Sequence, residues 1–424
     1  GAEQEPRGAE HPPCVGDDGT GVSREAMETR TPRCAGGDRK LRRDGERSPA
    51  RAAAPACVFP GCRGHCCFML SFARCLFLPL LSPWGLLVGG GFPLAWQGRT
   101  GIGSATLLPL QLFTDGITNK LVACYTDEDM ADAVLVRVYG RKTELFVDRE
   151  TELRNFQVLR AHGCAPDLYC AFHNGLCYQF LPGIALGPDH VRDPHIFRLV
   201  AQEMARVHAI HANGSLPKPI LWQKLHKYLT LVKTDLSPKV SNPSLQQDVP
   251  SLEMLEQELA WMKETLSQLG SPVVLCHNDL LCKNIIYDGT QEHVRFIDYE
   301  YTGYNYQAFD IGNHFNEFAG VKEVDYRLYP SKETQLQWLR SYLQAYKQLT
   351  QGDRGATGVS EEELEALYVQ VNKFSLASHF LWACWGLIQD KYSTIDFNFL
   401  RYAKLRFKQY FKMKPVVTAL QISK

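Results

Sequence analysis

His277-Asn278-Asp279-Leu280-Leu281-Cys282-Lys283-Asn284, followed by Phe296-Ile297-Asp298-Tyr299-Glu300, holds the residues of this chain best suited to chemistry. The spacing H-x-D-x-x-x-x-N suits phosphoryl transfer. In that reaction an aspartate accepts the proton of an attacking hydroxyl, and an asparagine a turn later holds a magnesium ion. Asp279 and Asn284 fill those two places. Asp298, at the end of the apolar run His293 to Ile297, would hold the metal that bridges nucleotide phosphates. Glu300 points to the same side of an extended chain as Asp298. It could hold a second magnesium or orient the acceptor.

The elements around these residues are those such a site needs. Pro272 to Cys276 and Asn284 to Tyr287 read as short strands on either side of the loop. Leu121 to Tyr125 and Ala133 to Tyr139 read as two further strands. Arg149 to Ala161 has helical spacing, with Leu153, Phe156 and Leu159 on one face. Leu176 to Leu181 reads as another strand, closed by Pro182-Gly183. Downstream the chain reads as mainly helical, over Asp193 to His211, Trp222 to Lys233, Ser251 to Leu269, Tyr306 to Phe318, Ser331 to Leu349, Ser360 to Ile388 and Asp396 to Phe411. Gln351 to Gly358 reads as a flexible loop between two of these helices.

Arg137 sits in the middle of an apolar strand and must meet a partner. Its place suits the cation that pairs the nucleotide phosphates and an acid on the next helix. Glu152 is that acid, with Glu150 as second choice. The turn Thr114 to Asn119 offers backbone N–H groups, Thr118 and Asn119 to phosphates. Asp310, read at the start of a helix, would cap it or pin the catalytic loop. Trp382 and Trp385, three apart, share a helix face. With Tyr301, Phe397, Tyr402 and the acid Glu317 they would suit a small organic cation.

Composition sets bounds. The chain has 424 residues, of which 45% are hydrophobic and 22% charged, with formal net charge zero. That is enough for two lobes with separate cores, and neutrality gives no support for a nucleic-acid partner. Cysteines of the globular part are scattered through apolar runs and read as reduced, mostly buried thiols of a cytoplasmic protein. Residues 1–60, rich in Arg, Gly, Pro, Ala and Glu, read as disordered. The cluster of Cys57, Cys62, Cys66, Cys67 and Cys75, with His65 among them, lacks the paired spacing of a zinc site. The apolar stretch 66–96 is broken by Arg74, Pro79, Pro83 and Gly89-Gly90-Gly91. Those breaks argue against a membrane span, and leave looser membrane association open.

The run HNDLLCKNIIY…VRFIDYEYTGYNYQAFDIGNHFNE resembles the choline/ethanolamine kinase family. FTDGITNKL, VLVRVYG, HANGSLPKPILW and the Leu-Leu-Cys-Lys within the loop resemble its ethanolamine kinases more than its choline kinases. The likeness spans about Phe113 to Lys414. It implies an α+β, bilobal, protein-kinase-like fold, with a small β-rich N-lobe (101–183) and a larger, mainly helical C-lobe (184–424). Residues 1–100 would be an atypical extension. It implies transfer of the ATP γ-phosphoryl group, with Mg2+, to the hydroxyl of ethanolamine, the first step of the CDP-ethanolamine route to phosphatidylethanolamine. By the same resemblance Asp279 matches the base, Asn284 and Asp298 the metal ligands, Arg137 the phosphate-binding cation and Glu152 its helix partner. Gln179 and Leu181 match the hinge that reads adenine. Glu300, Tyr301, Glu317, Trp382, Trp385 and Tyr402 match the amino-alcohol region. Upstream of Phe113, GIGSATLLPLQL replaces the helix and first strand that family members carry there. The rival readings are a choline kinase and a catalytically silent, binding-only isoform. A protein or antibiotic kinase is disfavoured by the lack of D-F-G and A-P-E signals. Oligomeric state is not legible.

Overall fold

The computed structural model describes residues 110–113, 118–126, 130, 132–211, 217–235, 248–352 and 358–421. The N-terminal extension, its Cys/His cluster and its apolar stretch lie outside them. So do residues 114–117 of the polar turn, Asn213-Gly214 and the centre of the loop between Gln351 and Gly358.

Five antiparallel strands form the first sheet, in the order β1 (Leu110–Phe113), β2 (Lys120–Cys124), β3 (Val134–Val138), β5 (Gly175–Gln179), β4 (Leu168–Phe172). β-Branched residues in β3 suit its central place, buried between two neighbours. Two of these strands were not read from the sequence. β1 supplies a first strand where the apolar segment offered none by pattern, because its four residues do not alternate. β4 (LYCAF) is apolar throughout and so shows no alternation, and its pairing with β5 shifts register between Leu168 and Cys170.

Helix α1 (Arg149–Ala161) lies between β3 and β4, with the bounds its periodicity predicts. Asp148 caps it by accepting from the Thr151 N–H at 2.9 Å. That cap stabilises the helix by about 1 kcal/mol. Phe156 turns inward and meets Tyr178 of β5 at a tilt, at 5.8 Å, and Tyr299 edge-on, at 5.6 Å.

After Pro182-Gly183 the chain is mainly helical. Gly183 has φ +130°, and a Cβ there would lie 2.4 Å from the Tyr287 carbonyl oxygen. Only glycine lets the crossing segment lie so close to the strand beneath. That segment forms β6 (Ile184–Ala185), which pairs β8 (Ile285–Asp288), and β8 pairs β9 (His293–Phe296). Separately, β7 (Val273–Cys276) pairs β10 (Gly303–Tyr306).

The helices are α2 (Pro194–His208), α3 (Leu221–Asp235), α4 (Leu252–Ser267), α5 (Gln307–Glu317), α6 (Lys332–Gln351), α7 (Glu361–Tyr392) and α8 (Phe399–Thr418). Ser251, Ser331 and Ser360 cap α4, α6 and α7, and Ser360 forms a full capping box with Glu363. α7 packs between α5 and α8 and is buried over most of its length. Gly312 lets α5 approach it closely, since a Cβ would lie 2.7 Å from the Val371 carbonyl oxygen. All seven described cysteines are free and six are buried, as expected of reduced thiols. Among the described residues no helix is long and apolar enough to cross a membrane.

Candidate active site

The loop between β7 and β8 is held from below by one carboxylate. Asp310, fully buried on α5, accepts the backbone N–H groups of His277 at 2.9 Å and Asn278 at 2.7 Å. It also meets His208 Nε2 at 2.9 Å, and His208 Nδ1 lies 2.6 Å from the Tyr342 hydroxyl. Burial alone would raise the Asp310 pKa, but His208, His277 and these N–H donors hold it below the usual range. Of its two sequence readings, the loop pin holds and the helix cap does not: α5 has no side-chain cap.

Asn278 takes a left-handed conformation, φ +65°. Its side chain offsets that strain. Nδ2 donates to the carbonyls of Tyr301 at 3.0 Å and Gly303 at 3.2 Å, while Oδ1 accepts from Asn305 at 2.8 Å. His277 Nδ1 accepts the Asp279 N–H at 3.3 Å, so Nε2 carries the proton toward the Ile297 carbonyl at 3.0 Å. Burial keeps this ring neutral by lowering its pKa. The histidine thus orients the loop.

Asp279 leaves the loop half-buried, with its carboxyl pKa raised well above normal. Burial is the largest cause, followed by the negative charges of Asp298, Glu317 and Glu300, while Lys224 opposes them. A carboxylate so placed binds a proton readily. Asn284 donates through Nδ2 to the Asp279 carbonyl at 2.9 Å, and its backbone carbonyl accepts the Ile297 N–H at 2.9 Å. The side-chain oxygen of Asn284 is therefore the atom left for a metal. Asp298 also has φ +66°, in the bend after β9. Its pKa rises to about 6 through burial and the charge of Glu300, against the pull of Arg137 and Arg149.

Arg137 of β3 spans two acids. Nη1 pairs with Asp298 and Nη2 with Glu152 of α1, whose side chain is 1% exposed. Glu150 is exposed and takes no part. A second arginine, missed from the sequence, runs beside it. Arg149 Nη1 bonds Glu152 at 2.7 Å and Glu300 at 3.1 Å, and Nη2 bonds Thr143 at 2.6 Å. Its guanidinium lies 3.7 Å from the Tyr139 ring centroid. Glu300 further accepts from Asn119 Nδ2 at 3.0 Å, yet its Oε1 is buried with no hydrogen-bond partner. The sequence places Glu300 on the amino-alcohol side. The structure bonds it to Asn119 and Arg149, and its charge also acts on Lys224 and Tyr301.

The turn and hinge residues divide. Asn119 faces Glu300 and accepts the Gly140 N–H at 3.3 Å, while the Thr118 backbone packs against Gly140. Thr118 is half-buried beside them. Gln179 spends its own N–H on the Asp167 carbonyl at 2.8 Å and its side chain on the Asp167 N–H at 3.2 Å. That strand-end pairing leaves the Gln179 N–H unable to donate to a base. Leu181 is buried just beyond it.

The aromatic residues converge. Trp382 and Trp385 meet edge-on at 5.4 Å, Tyr301 meets Trp382 at 5.3 Å, and the Tyr301 hydroxyl accepts from Trp385 Nε1 at 3.0 Å. Trp382 Nε1 donates to Asn313 of α5 at 2.7 Å. Tyr402 lies 6.3 Å from Trp385 and 5.8 Å from Phe397. Glu317 is near this group but already paired. Arg406 of α8 binds it through Nη2, and Arg406 Nε donates to the Tyr402 hydroxyl at 3.1 Å. The sequence reading of Glu317 as an acid of this group named no cation partner for it, and the structure supplies Arg406. Arg406 follows Tyr402 by one helical turn, the one signal that could have found it.

Comparison with known proteins places this architecture. Human ethanolamine kinase 2 is 69% identical over 312 residues, covering 74% of this chain and 78% of that protein. Mouse ethanolamine kinase 1 is 62% identical over 315 residues, covering 74% and 86%. Among solved structures, a Plasmodium vivax ethanolamine kinase superposes with TM-score 0.64 at 29% identity, covering 72% of this chain and 82% of that one. A choline kinase from Cryptosporidium parvum, 24% identical, shares the fold with TM-score 0.61 over 73% and 90%. The fold is thus the α+β, two-lobed, protein-kinase-like one expected. The family model described as choline/ethanolamine kinase matches residues 110–411, and the chain belongs to that family.

Proposed function

We propose that this chain is a Mg-ATP-dependent kinase of ethanolamine, forming phosphoethanolamine, with its lobes divided at Pro182-Gly183. The observation that carries the reading is the convergence of Asp279, Asn284, Asp298 and the Arg137–Glu152 pair beside an aromatic cluster. Human ethanolamine kinase 2, at 69% identity, supports ethanolamine as the acceptor.

Asp279 takes the proton of the acceptor hydroxyl, a task that its raised pKa suits. Arg137 meets the nucleotide phosphates and is held for that work by Glu152. The Thr118–Asn119 turn covers them, and the segment at Gln179 and Leu181 receives the base. Tyr301, Trp382, Trp385 and Tyr402 wall the amino-alcohol, and Glu317 adds negative charge beneath them. Glu300 serves from the N-lobe side by bracing Arg149.

Magnesium fits the donor set. Asp298 and Asn284 offer hard oxygen atoms. The Asp298 carboxyl, raised to about 6 by burial and Glu300, is one that a cation would restore to its charged form. When bound, the ion neutralises charge on the transferring phosphoryl group. A cytoplasmic location suits the free cysteines.

The test is an initial-rate panel with ATP and ethanolamine, monomethylethanolamine or choline. Ethanolamine is expected to give the highest kcat/KM. A higher value for choline would overturn the acceptor assignment, and no turnover of any of the three would favour a silent isoform.

A further inference from the structure

Helix α3 brings to the aromatic cluster a cation that the proposed chemistry does not use. Lys224 Nζ lies 4.7 Å from the centroid of the Tyr301 ring. Tyr301 is the residue that meets Trp382 edge-on and bonds Trp385. Among the described residues Lys224 makes no salt bridge. Its charge is drawn at longer range by Glu300 and Asp279, and opposed by Lys227.

One turn further along α3, Tyr228 is fully buried with its hydroxyl unpartnered. Its ring meets Phe146 edge-on at 5.5 Å, and Phe146 lies 6.3 Å from Trp385. Residues four apart share a helix face. The face carrying Lys224 and Tyr228 therefore borders the Tyr301–Trp382–Trp385 cluster.

A cation over Tyr301 has consequences for what else can sit there. A ring face is the surface that a quaternary ammonium uses, because such a group cannot donate hydrogen bonds. A primary ammonium has three N–H donors and can use oxygen acceptors instead. Lys224 covers one ring face and adds like-charge repulsion. Both effects weigh most on an acceptor that depends on rings. We propose that Lys224 is a specificity-determining residue, which by holding the Tyr301 face selects a primary-ammonium acceptor against N-methylated ones. Burial brings its amine down to about 8, so the charge is still largely present at neutral pH.

This inference rests on the amino-alcohol reading above, and its experiment separates the two. Full-length wild type, Lys224→Ala, Lys224→Met and Lys224→Arg are compared with ethanolamine, its mono- and dimethyl derivatives and choline, after thermal melts establish folding. The choline-to-ethanolamine ratio of kcat/KM should rise about tenfold or more in the Ala and Met variants, increasing with each methyl group. The ATP KM should stay within about twofold. Lys224→Arg, which keeps the charge, should retain the wild-type ratio. An unchanged ratio in the Ala and Met variants, with all acceptors falling together, would overturn the proposal. So would a ratio that rises equally in Lys224→Arg. Wild type turning over none of the four would overturn the acceptor reading, and this inference with it.

Discussion

Arg406 and Glu317 stand 89 positions apart in sequence and meet as a buried ion pair, with side chains 2% and 4% exposed. The pair lies where α5 ends and α8 packs on α7, beside Tyr402 and His379. Glu317 therefore serves two purposes. It closes a structural contact, and its negative charge reaches Asp279.

Glu317→Gln should first cost stability, because it leaves Arg406 buried without its counter-charge. Breaking such a pair costs about 3–5 kcal/mol, whereas replacing both partners is far milder. Glu317→Gln/Arg406→Met should regain much of the loss in urea unfolding. The ethanolamine KM should remain raised in the double variant, more than the ATP KM. A double variant with wild-type ethanolamine KM would confine Glu317 to a structural role.

Asp279→Asn should lower kcat by ~10²–10⁴ while ATP binding stays nearly intact. The amide keeps the loop shape, since the Asn284 bond goes to the backbone carbonyl of Asp279. Single-turnover rates and nucleotide-dependent thermal shifts separate the two effects. A variant with more than about a tenth of wild-type kcat would remove Asp279 from the role of proton acceptor.

What the sequence revealed, and what it hid, follows from the distance over which each signal acts. The loop between β7 and β8 and the Arg137–Glu152 pairing were legible because fixed spacing and a charge in an apolar strand are local features. α1 was legible to the residue because Asp148 caps it and its apolar positions repeat at helical spacing. Arg149 was not, since nothing nearby shows a surface-patterned arginine reaching Glu300, 151 positions away. Arg406 and Lys224 were hidden for the same reason: each finds its partner through helix packing. β1 has only four residues and β4 is apolar throughout, so neither shows a period; both exist because β2 and β5 offer them open edges.

Acid should destabilise the fold partly through His314. This residue is buried on α5, with Nδ1 3.1 Å from the Leu280 carbonyl of the loop between β7 and β8. Burial brings its pKa down to about 4, against about 6.5 in an unfolded chain. Between those values the unfolded state binds the extra proton, so stability rises with pH across that window. The contribution is complete above about 6.5 and is lost as pH falls toward about 4, amounting to about 3 kcal/mol. Urea midpoints across this range should converge for wild type and His314→Gln as pH falls. A gap that stays constant with pH would show that His314 does not titrate in this way.

Arg137→Lys should be damaging although the charge is kept. Arg137 uses two separate nitrogens, Nη1 toward Asp298 and Nη2 toward Glu152. Lysine offers one compact ammonium and cannot span both acids in the same way. Losing the contact to Asp298 would free that carboxylate to move. Losing the contact to Glu152 would leave that buried carboxylate to Arg149 alone. The expected result is a fall of about ten- to a hundredfold in kcat/KM for ATP, with a lower melting temperature. Glu152→Gln should reproduce the kinetic part, because it removes the group that positions the arginine. If Arg137→Lys retains wild-type kcat/KM for ATP, a single charge at this position suffices, and the two-acid bridge is a feature of packing alone.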